Sequence, residues 1–294
     1  DTIIDVRSPS EFNEDHIPGA LNFPVLYDKE RKKIGTIYKK KSPFEAKVLG
    51  SSLIAKNISE HLTKSLKNKN GAWKPLVYCW RGGQRSKALC LIMHEIGWRV
   101  NQLEGGYKFY RNDIQQRLQE LSPKLKIILI SGKTGTGKTK LLNQIKSNNG
   151  QILDLENIAN HKGSLLGRDL KNNQPSQKLF ESLLYDALKN TNLKKNIYLE
   201  AESSKIGNLH IPQPLWKKML ISKKINIETT LENRVKFLLN DYKYVQLDNS
   251  FFKPLIVGLK RRLPKKHQRQ RKKLLRKRRG QPKKPVPRNH RIES

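Results

Sequence analysis

An α/β fold in two successive domains is what this sequence predicts, and three observations carry it. Pro75-Leu76-Val77-Tyr78 is a short apolar strand candidate that leads through a glycine-containing turn into helical apolar spacing over Ser86–Met93. The order strand, glycine loop, helix restarts at Lys126-Ile127-Ile128-Leu129-Ile130, a run rich in β-branched residues. Between them, Ser122-Pro123 breaks a mixed helix that starts near Lys108 and ends at Leu121. The expected domains are residues 1–122 and 123–263, followed by a basic tail over 264–294.

The chain opens at Asp1 without an initiator Met and is at once inside the apolar run Thr2-Ile3-Ile4-Asp5-Val6, so an upstream segment is expected. Trp98-Arg99-Val100 then leads to Leu103-Glu104-Gly105-Gly106-Tyr107. In the second half, strands are expected at Gln151–Asp154, Asn196–Glu200 and Ile225–Ile227, and helices over Lys140–Ser147, Ser176–Leu188 and Leu231–Leu239. Beyond Leu263-Pro264 the apolar periodicity gives way to Lys, Arg, Gln and Pro. That composition cannot build a core, and it predicts disorder or a helix that forms only on binding.

The 294 residues carry 60 Lys and Arg against 25 Asp and Glu, a formal net charge of +35. A charge of this size favours a polyanion, with nucleic acid first and an acidic membrane surface second. The excess is uneven. From Lys260 to Ser294 there are 17 basic residues and one acid, which leaves +19 for everything before. No apolar run approaches the roughly 18 to 20 residues of a bilayer span, and the first residues do not resemble a signal peptide. A soluble, cytoplasmic protein with no membrane partner is expected. Two cysteines, Cys79 and Cys90, are too few for a disulfide framework in a chain of this length.

Cys79 stands at a strand end in Cys79-Trp80-Arg81-Gly82-Gly83-Gln84-Arg85-Ser86. Amides of such a turn converge on one point, and a helix N-terminus adds positive potential there. The same field, with Arg81 and Arg85, is expected to hold Cys79 as a thiolate nucleophile in an oxyanion cradle. Cys90 falls on the apolar helix face and is expected in the core.

Gly132-Lys133-Thr134-Gly135-Thr136-Gly137-Lys138-Thr139 has the pattern glycine, four residues, Gly-Lys-Thr, after a strand and at the opening of a helix. Gly132, Gly135 and Gly137 let the backbone wrap a diphosphate, Lys138 reaches a terminal phosphate, and Thr139 can ligate Mg²⁺. Asp154 and Glu200, at strand ends, are the expected carboxylate partners of the metal. Glu202 reads as surface charge. His161 reads equally as a substrate contact or a loop hydrogen-bonder.

Asp5-Val6-Arg7-Ser8-Pro9-Ser10-Glu11-Phe12, His16-Ile17-Pro18-Gly19-Ala20-Leu21-Asn22, the Cys79 loop and Leu103-Glu104-Gly105-Gly106 together resemble a rhodanese domain. In that fold the loop cysteine carries sulfur or selenium as a persulfide-type intermediate. This chain departs from ordinary single-domain rhodaneses: five residues separate Cys79 from Arg85, as in rhodanese-fold phosphatases, and the wider ring suits a tetrahedral oxyanion. Asp5, Arg7 and His16 are open between functional roles and helix capping or loop bracing.

A rhodanese cysteine followed by a phosphate loop resembles the tRNA 2-selenouridine synthase family, and the resemblance continues through Asp154–Ser164, Gln174–Glu181 and Glu200–Gly207. The expected fold class is α/β: a rhodanese-like domain, then a P-loop NTPase-like α/β domain, then a basic, disordered tail. The resemblance implies a transferase that replaces sulfur of 2-thiouridine at the tRNA wobble position with selenium from selenophosphate. It also implies S-geranylation from geranyl diphosphate as a linked step, making selenophosphate and geranyl diphosphate co-substrates. The resemblance leads us to expect further helical segments after Phe251–Leu263, where Lys265–Arg279 is instead almost devoid of apolar residues. Two other readings stay open: a cysteine phosphatase or sulfurtransferase, and a tRNA-binding protein without activity. Tyr78, in the place where phosphatases carry His, counts against the phosphatase.

Overall fold

The fold is that of a computed structural model, which describes residues 2–161 and 173–241. Both the basic tail and the Phe251–Leu263 segment lie outside these residues. Residues 1–234 form one compact unit.

The first sheet is parallel throughout, with β1 (Ile3–Asp5), β2 (Leu21–Asn22), β3 (Leu76–Tyr78) and β4 (Asn101–Gln102) in the order β2-β1-β3-β4. Its strands are two or three residues long. They need helices on their faces, because parallel pairing requires crossovers. The crossovers supply α1 (Pro9–Glu14), α2 (Asp28–Lys40), α3 (Pro43–His61) and α4 (Gln84–Glu95). Ser42 starts α3 by accepting the amides of Phe44 and Glu45 at 3.2 and 3.4 Å, and Pro43 fits the first turn, where no amide is needed. Ile4, Val6, Val77, Leu89, Met93 and Val100 make the core of this half, with Cys90 among them as its helix spacing predicts.

The second sheet is also parallel. It joins β5 (Lys126–Ser131), β6 (Gln151–Leu153), β7 (Asn196–Glu200) and β10 (Lys223–Asn226) in the order β10-β5-β7-β6. A two-stranded antiparallel ribbon, β8 (Lys205–Ile206) with β9 (Leu209–His210), stands apart from it. The associated helices are α6 (Lys138–Ser147), α7 (Leu155–Ile158), α8 (Gln177–Leu188), α9 (Gln213–Leu220) and α10 (Leu231–Asp241). Phe180, Leu184, Leu188, Leu129 and Leu199 are fully or almost fully buried at the centre of this half. Truncating Phe180 to Ala would cost about 3–5 kcal/mol.

One helix serves both halves. α5 (Gly106–Leu121) starts against the first sheet with Gly106 and Tyr107 buried, and its later residues Ile114 and Leu118 belong to the second core. Arg111, between them, donates to the Lys178 carbonyl at 3.2 Å and pairs with Glu181 on α8. Lys178 in turn pairs with Glu14 of the first half at 2.6 Å. The two sheets are therefore braced through α5 and α8.

Candidate active sites: a cysteine loop and a phosphate loop

Cys79 leaves the end of β3 and is almost fully buried. Its Sγ receives the Gly83 amide at 3.2 Å and the Ser86 hydroxyl at 3.1 Å. Gln102, at the end of β4, donates to Ser86 Oγ at 2.7 Å and to the Gly82 carbonyl at 2.6 Å. The Ser86 hydroxyl, placed by Gln102, lies within donating distance of Sγ and of the Gly83 carbonyl, each at 3.1 Å. Burial alone would raise the Cys79 pKa. The Ser86 hydroxyl, the amides of Ser86 and Arg81 and the charge of Arg85 outweigh it and hold the thiol below its ordinary range. Cys90, in the apolar core, goes the other way and is pushed up to about 11 by burial and by Cys79.

The loop is fixed from one side by α5. The Cys79 and Trp80 carbonyls accept the amides of Tyr107 and Lys108 at 2.8 and 2.9 Å. Only glycine fits at 106, where a Cβ would lie 2.4 Å from the Cys79 oxygen and 2.6 Å from the Gly82 nitrogen, at φ +55°.

The two arginines differ. Arg81 is exposed on the loop. Arg85, expected to face an oxyanion, places Nη1 2.8 Å from Glu11 Oε2, so a carboxylate holds its guanidinium. Asp5 and Arg7 form a buried brace: Arg7 grips the Asp5 carboxylate at 2.7–3.1 Å, donates to the Asp15 carbonyl at 2.6 Å and lies 3.9 Å from the Tyr107 ring centroid. His16 stacks on Phe12 with ring centroids 3.9 Å apart and bonds the Phe12 carbonyl at 2.9 Å. The open roles of these three residues are thereby filled by bracing.

In the second half, Gly132–Thr139 connects β5 to α6. Gly135 and Gly137 both take φ +84°, the left-handed region that glycine occupies without cost. A Cβ at Gly132 would lie 2.7 Å from Thr136 Oγ1 and 2.8 Å from the Ile227 carbonyl. Lys138 Nζ donates to the Gly132 carbonyl at 3.0 Å, curled over its own loop. Arg234 Nε donates to the Thr134 carbonyl at 3.1 Å.

The neighbouring strand β7 brings Glu200 to Thr139, with Oγ1 to Oε1 at 2.7 Å. Asp154 accepts the Asn157 amide at 2.9 Å through Oδ1 and caps α7, and its charge acts on Glu200. The residues that converge are Glu156, Glu200 and Glu202, whose carboxylate oxygens lie within 4.8 Å of one another. Sequence reasoning missed Glu156 and set Glu202 aside as surface charge. The available signal was spacing, because Glu200 and Glu202 are two residues apart at a strand end and Glu156 follows two residues after Asp154. Burial and the Glu156 charge push Glu200 up to about 7, against the pull of Thr139 and Lys138. Burial and Glu200 raise Glu202 as well. Carboxylate oxygens with a threonine hydroxyl form a hard donor set of the kind Mg²⁺ takes, and mutual repulsion within it is what a divalent cation relieves. His161 is described, but the residues after it, 162–172, are not.

Residues 1–113 match the rhodanese-like domain family, and residues 125–279 match the family described as the tRNA 2-selenouridine synthase AAA domain. The second match spans more than half of the chain. The chain belongs to the tRNA 2-selenouridine synthase family. Relatives of that name are 33% identical in Sulfurovum sp. and 36% identical in Pseudomonas fluorescens, each over 243 residues. Those alignments cover 82% of this chain and 65% of each relative, so the chain spans less than two thirds of its family members' length. Among solved structures, a rhodanese-related protein from Thermoplasma volcanium is similar at 20% identity and TM-score 0.25, covering 38% of this chain and 77% of that one. A rhodanese-like domain followed by a P-loop domain, the expected fold class, is what this family member has. Among the described residues no helix is long and apolar enough to cross a membrane.

Proposed function

We propose that this chain modifies tRNA, exchanging the sulfur of 2-thiouridine at the wobble position for selenium, with selenophosphate and geranyl diphosphate as co-substrates. The observation that carries the reading is the union, in one compact unit, of an activated thiol in an amide-lined loop with a phosphate loop. The family match supports the tRNA substrate. A cytoplasmic location is part of the same proposal.

The phosphate loop would take geranyl diphosphate. The 2-thiouridine sulfur attacks C1 of the geranyl group, the C1–O bond breaks, and diphosphate leaves with the electron pair. Lys138 swings from the Gly132 carbonyl to the leaving phosphate, and the loop amides share its charge. Thr139, Glu200, Glu156 and Glu202 would hold Mg²⁺, which supplies further neutralisation of the diphosphate. In the cysteine loop the amides and the α4 N-terminus would bind the oxygens of selenophosphate, with Cys79 as the selenium-handling residue. Arg81 joins the anion directly. Arg85 joins it by leaving Glu11. The selenium of selenophosphate then attacks C2 of the S-geranylated base, geranyl thiolate departs with the electron pair and takes up a proton, and water cleaves the P–Se bond to release phosphate and leave 2-selenouridine.

The test is mass spectrometry of nucleosides from 2-thiouridine tRNA incubated with selenophosphate, with and without geranyl diphosphate. The expected product with both donors is 2-selenouridine, and Cys79→Ala is expected to stop at the S-geranylated nucleoside. Unchanged 2-thiouridine under every condition overturns the proposal. Loss of both products in Cys79→Ala overturns the division of labour between the loops.

A further inference from the structure

Two aromatic side chains border the Cys79 loop without belonging to a core. Trp80, the residue after Cys79, is 37% exposed, and its ring lies on Tyr107 with centroids 5.2 Å apart. Phe109, in the first turn of α5, is 59% exposed. Its side chain lies over Gly105, where a Cβ would come within 2.6 Å of Phe109 Cβ. The Gly105-Gly106 turn beneath it is the one that packs on the Cys79 loop, and the Lys108 amide donates to the Trp80 carbonyl. Both rings therefore stand on the same loop-to-helix junction, each seated on a fixed backbone and open to solvent.

Packing does not explain them. Burial drives aromatic side chains into cores, and here over a third of Trp80 and more than half of Phe109 stay in water. Their chain neighbours Arg81 and Lys108 are exposed cations, with Glu104 as the nearby acid of the turn. Exposed rings whose chain neighbours are exposed cations suit a ligand that offers a flat π surface and a negative backbone together. An apolar peptide would leave the cations unanswered, and a small free anion would leave the rings wet.

We propose that Trp80 and Phe109 form a stacking platform for an unpaired RNA base, holding it out of its strand at the mouth of the Cys79 loop, with Arg81 and Lys108 on the flanking phosphates. The proposal rests on the tRNA reading above and names how the substrate base is presented. Chemistry on a nucleobase needs the target atom exposed, and an aromatic shelf compensates for the stacking lost when the base leaves its neighbours.

The test measures binding of the full-length protein to an RNA anticodon stem-loop carrying 2-thiouridine and to a blunt RNA duplex of matched length. Loss of one base–aromatic stack is expected to weaken stem-loop binding by about 5- to 100-fold in Trp80→Ala and in Phe109→Ala. Duplex binding should stay within about twofold, since it depends on charge, and Trp80→Phe should restore most of the stem-loop affinity. Because Trp80 leans on Tyr107, its alanine variant is judged beside Phe109→Ala, whose exposed position leaves the melting temperature unchanged. Stem-loop affinity unchanged in Phe109→Ala and Trp80→Ala overturns the platform and leaves the tRNA reading standing. Equal losses on both RNAs also overturn the platform. A wild-type protein that binds neither RNA overturns both readings.

Discussion

The two loops of this molecule stand in opposite states of readiness. In the cysteine loop the groups that define the site already hold one another: Sγ has its amide and hydroxyl donors, Gln102 holds Ser86, and Gly106 pins the backbone. In the phosphate loop the working groups are turned inward or set against one another. Lys138 covers its own loop, and three glutamates crowd together, with the Glu200 and Glu202 carboxyls raised. The difference is one of charge balance. A single thiolate can be stabilised by fixed dipoles, whereas a diphosphate and a divalent cation stabilise each other and assemble only together.

The sharpest way to break this comparison is to remove Lys138, the loop lysine that reaches the Gly132 carbonyl. Lys138→Ala should lower the proposed geranyl transfer by about 100- to 1,000-fold, the scale for losing one partner of a leaving charge. It should leave the pH titration of Cys79 in place, read by thiolate absorbance in a Cys90→Ser background. A shifted Cys79 titration would show that the two loops are not electrostatically separate. Next in size is Gly106→Ala. The added methyl meets the Cys79 carbonyl and the left-handed φ together, so a loss of roughly 2–4 kcal/mol in chemical denaturation is expected. Wild-type stability in that variant would mean that the α5 contact does not hold the cysteine loop.

The hydroxyl relay can be tested on its own. Ser86→Ala removes a hydrogen bond to a charged group, worth about 1.5–3 kcal/mol, and the Cys79 titration should move upward. Gln102→Leu should move it in the same direction by less, because the hydroxyl keeps its reach to Sγ and loses only the amide that positions its oxygen. An unmoved titration in both variants would assign the lowered pKa to the backbone amides and Arg85 alone.

How much of this was legible in the sequence follows from which forces act locally. Both loops were readable because glycine patterns report backbone conformation directly, and β5 and β7 were readable because buried parallel strands are continuous apolar runs. Helices α2 and α3 were not identified. α2 is Asp28-Lys-Glu-Arg-Lys-Lys with few apolar positions, and its place is set by packing on α3. Asp154 was read as a ligand because strand-end carboxylates serve as metal partners, and it also fits the N-cap of a short helix, where Oδ1 takes the Asn157 amide. The Glu156, Glu200 and Glu202 cluster depends on β6 and β7 being neighbours, which is a statement about sheet order and is absent from any single segment. The expected pairing of Arg85 with an oxyanion left out Glu11, 74 positions earlier in the chain and brought beside it only by the fold.

That last pair gives the smallest effect and a test of the cysteine loop's acid limit. Burial would raise the Glu11 carboxyl, but hydrogen bonding and charge from Arg85, with the Ser8 amide, hold it below its ordinary value. A carboxyl lowered in the folded state contributes stability that is present above the unfolded pKa and is lost as pH falls through the folded one. Stability of the wild-type protein should therefore decline as the pH drops below the ordinary glutamate range, and Glu11→Gln should flatten part of that decline while lowering stability at neutral pH. The same substitution frees Arg85, so selenophosphate should bind the Glu11→Gln protein more tightly if the arginine is the anion partner proposed for it. Weaker or unchanged binding would make Arg85 a brace like Arg7 and leave the anion to Arg81 and the loop amides.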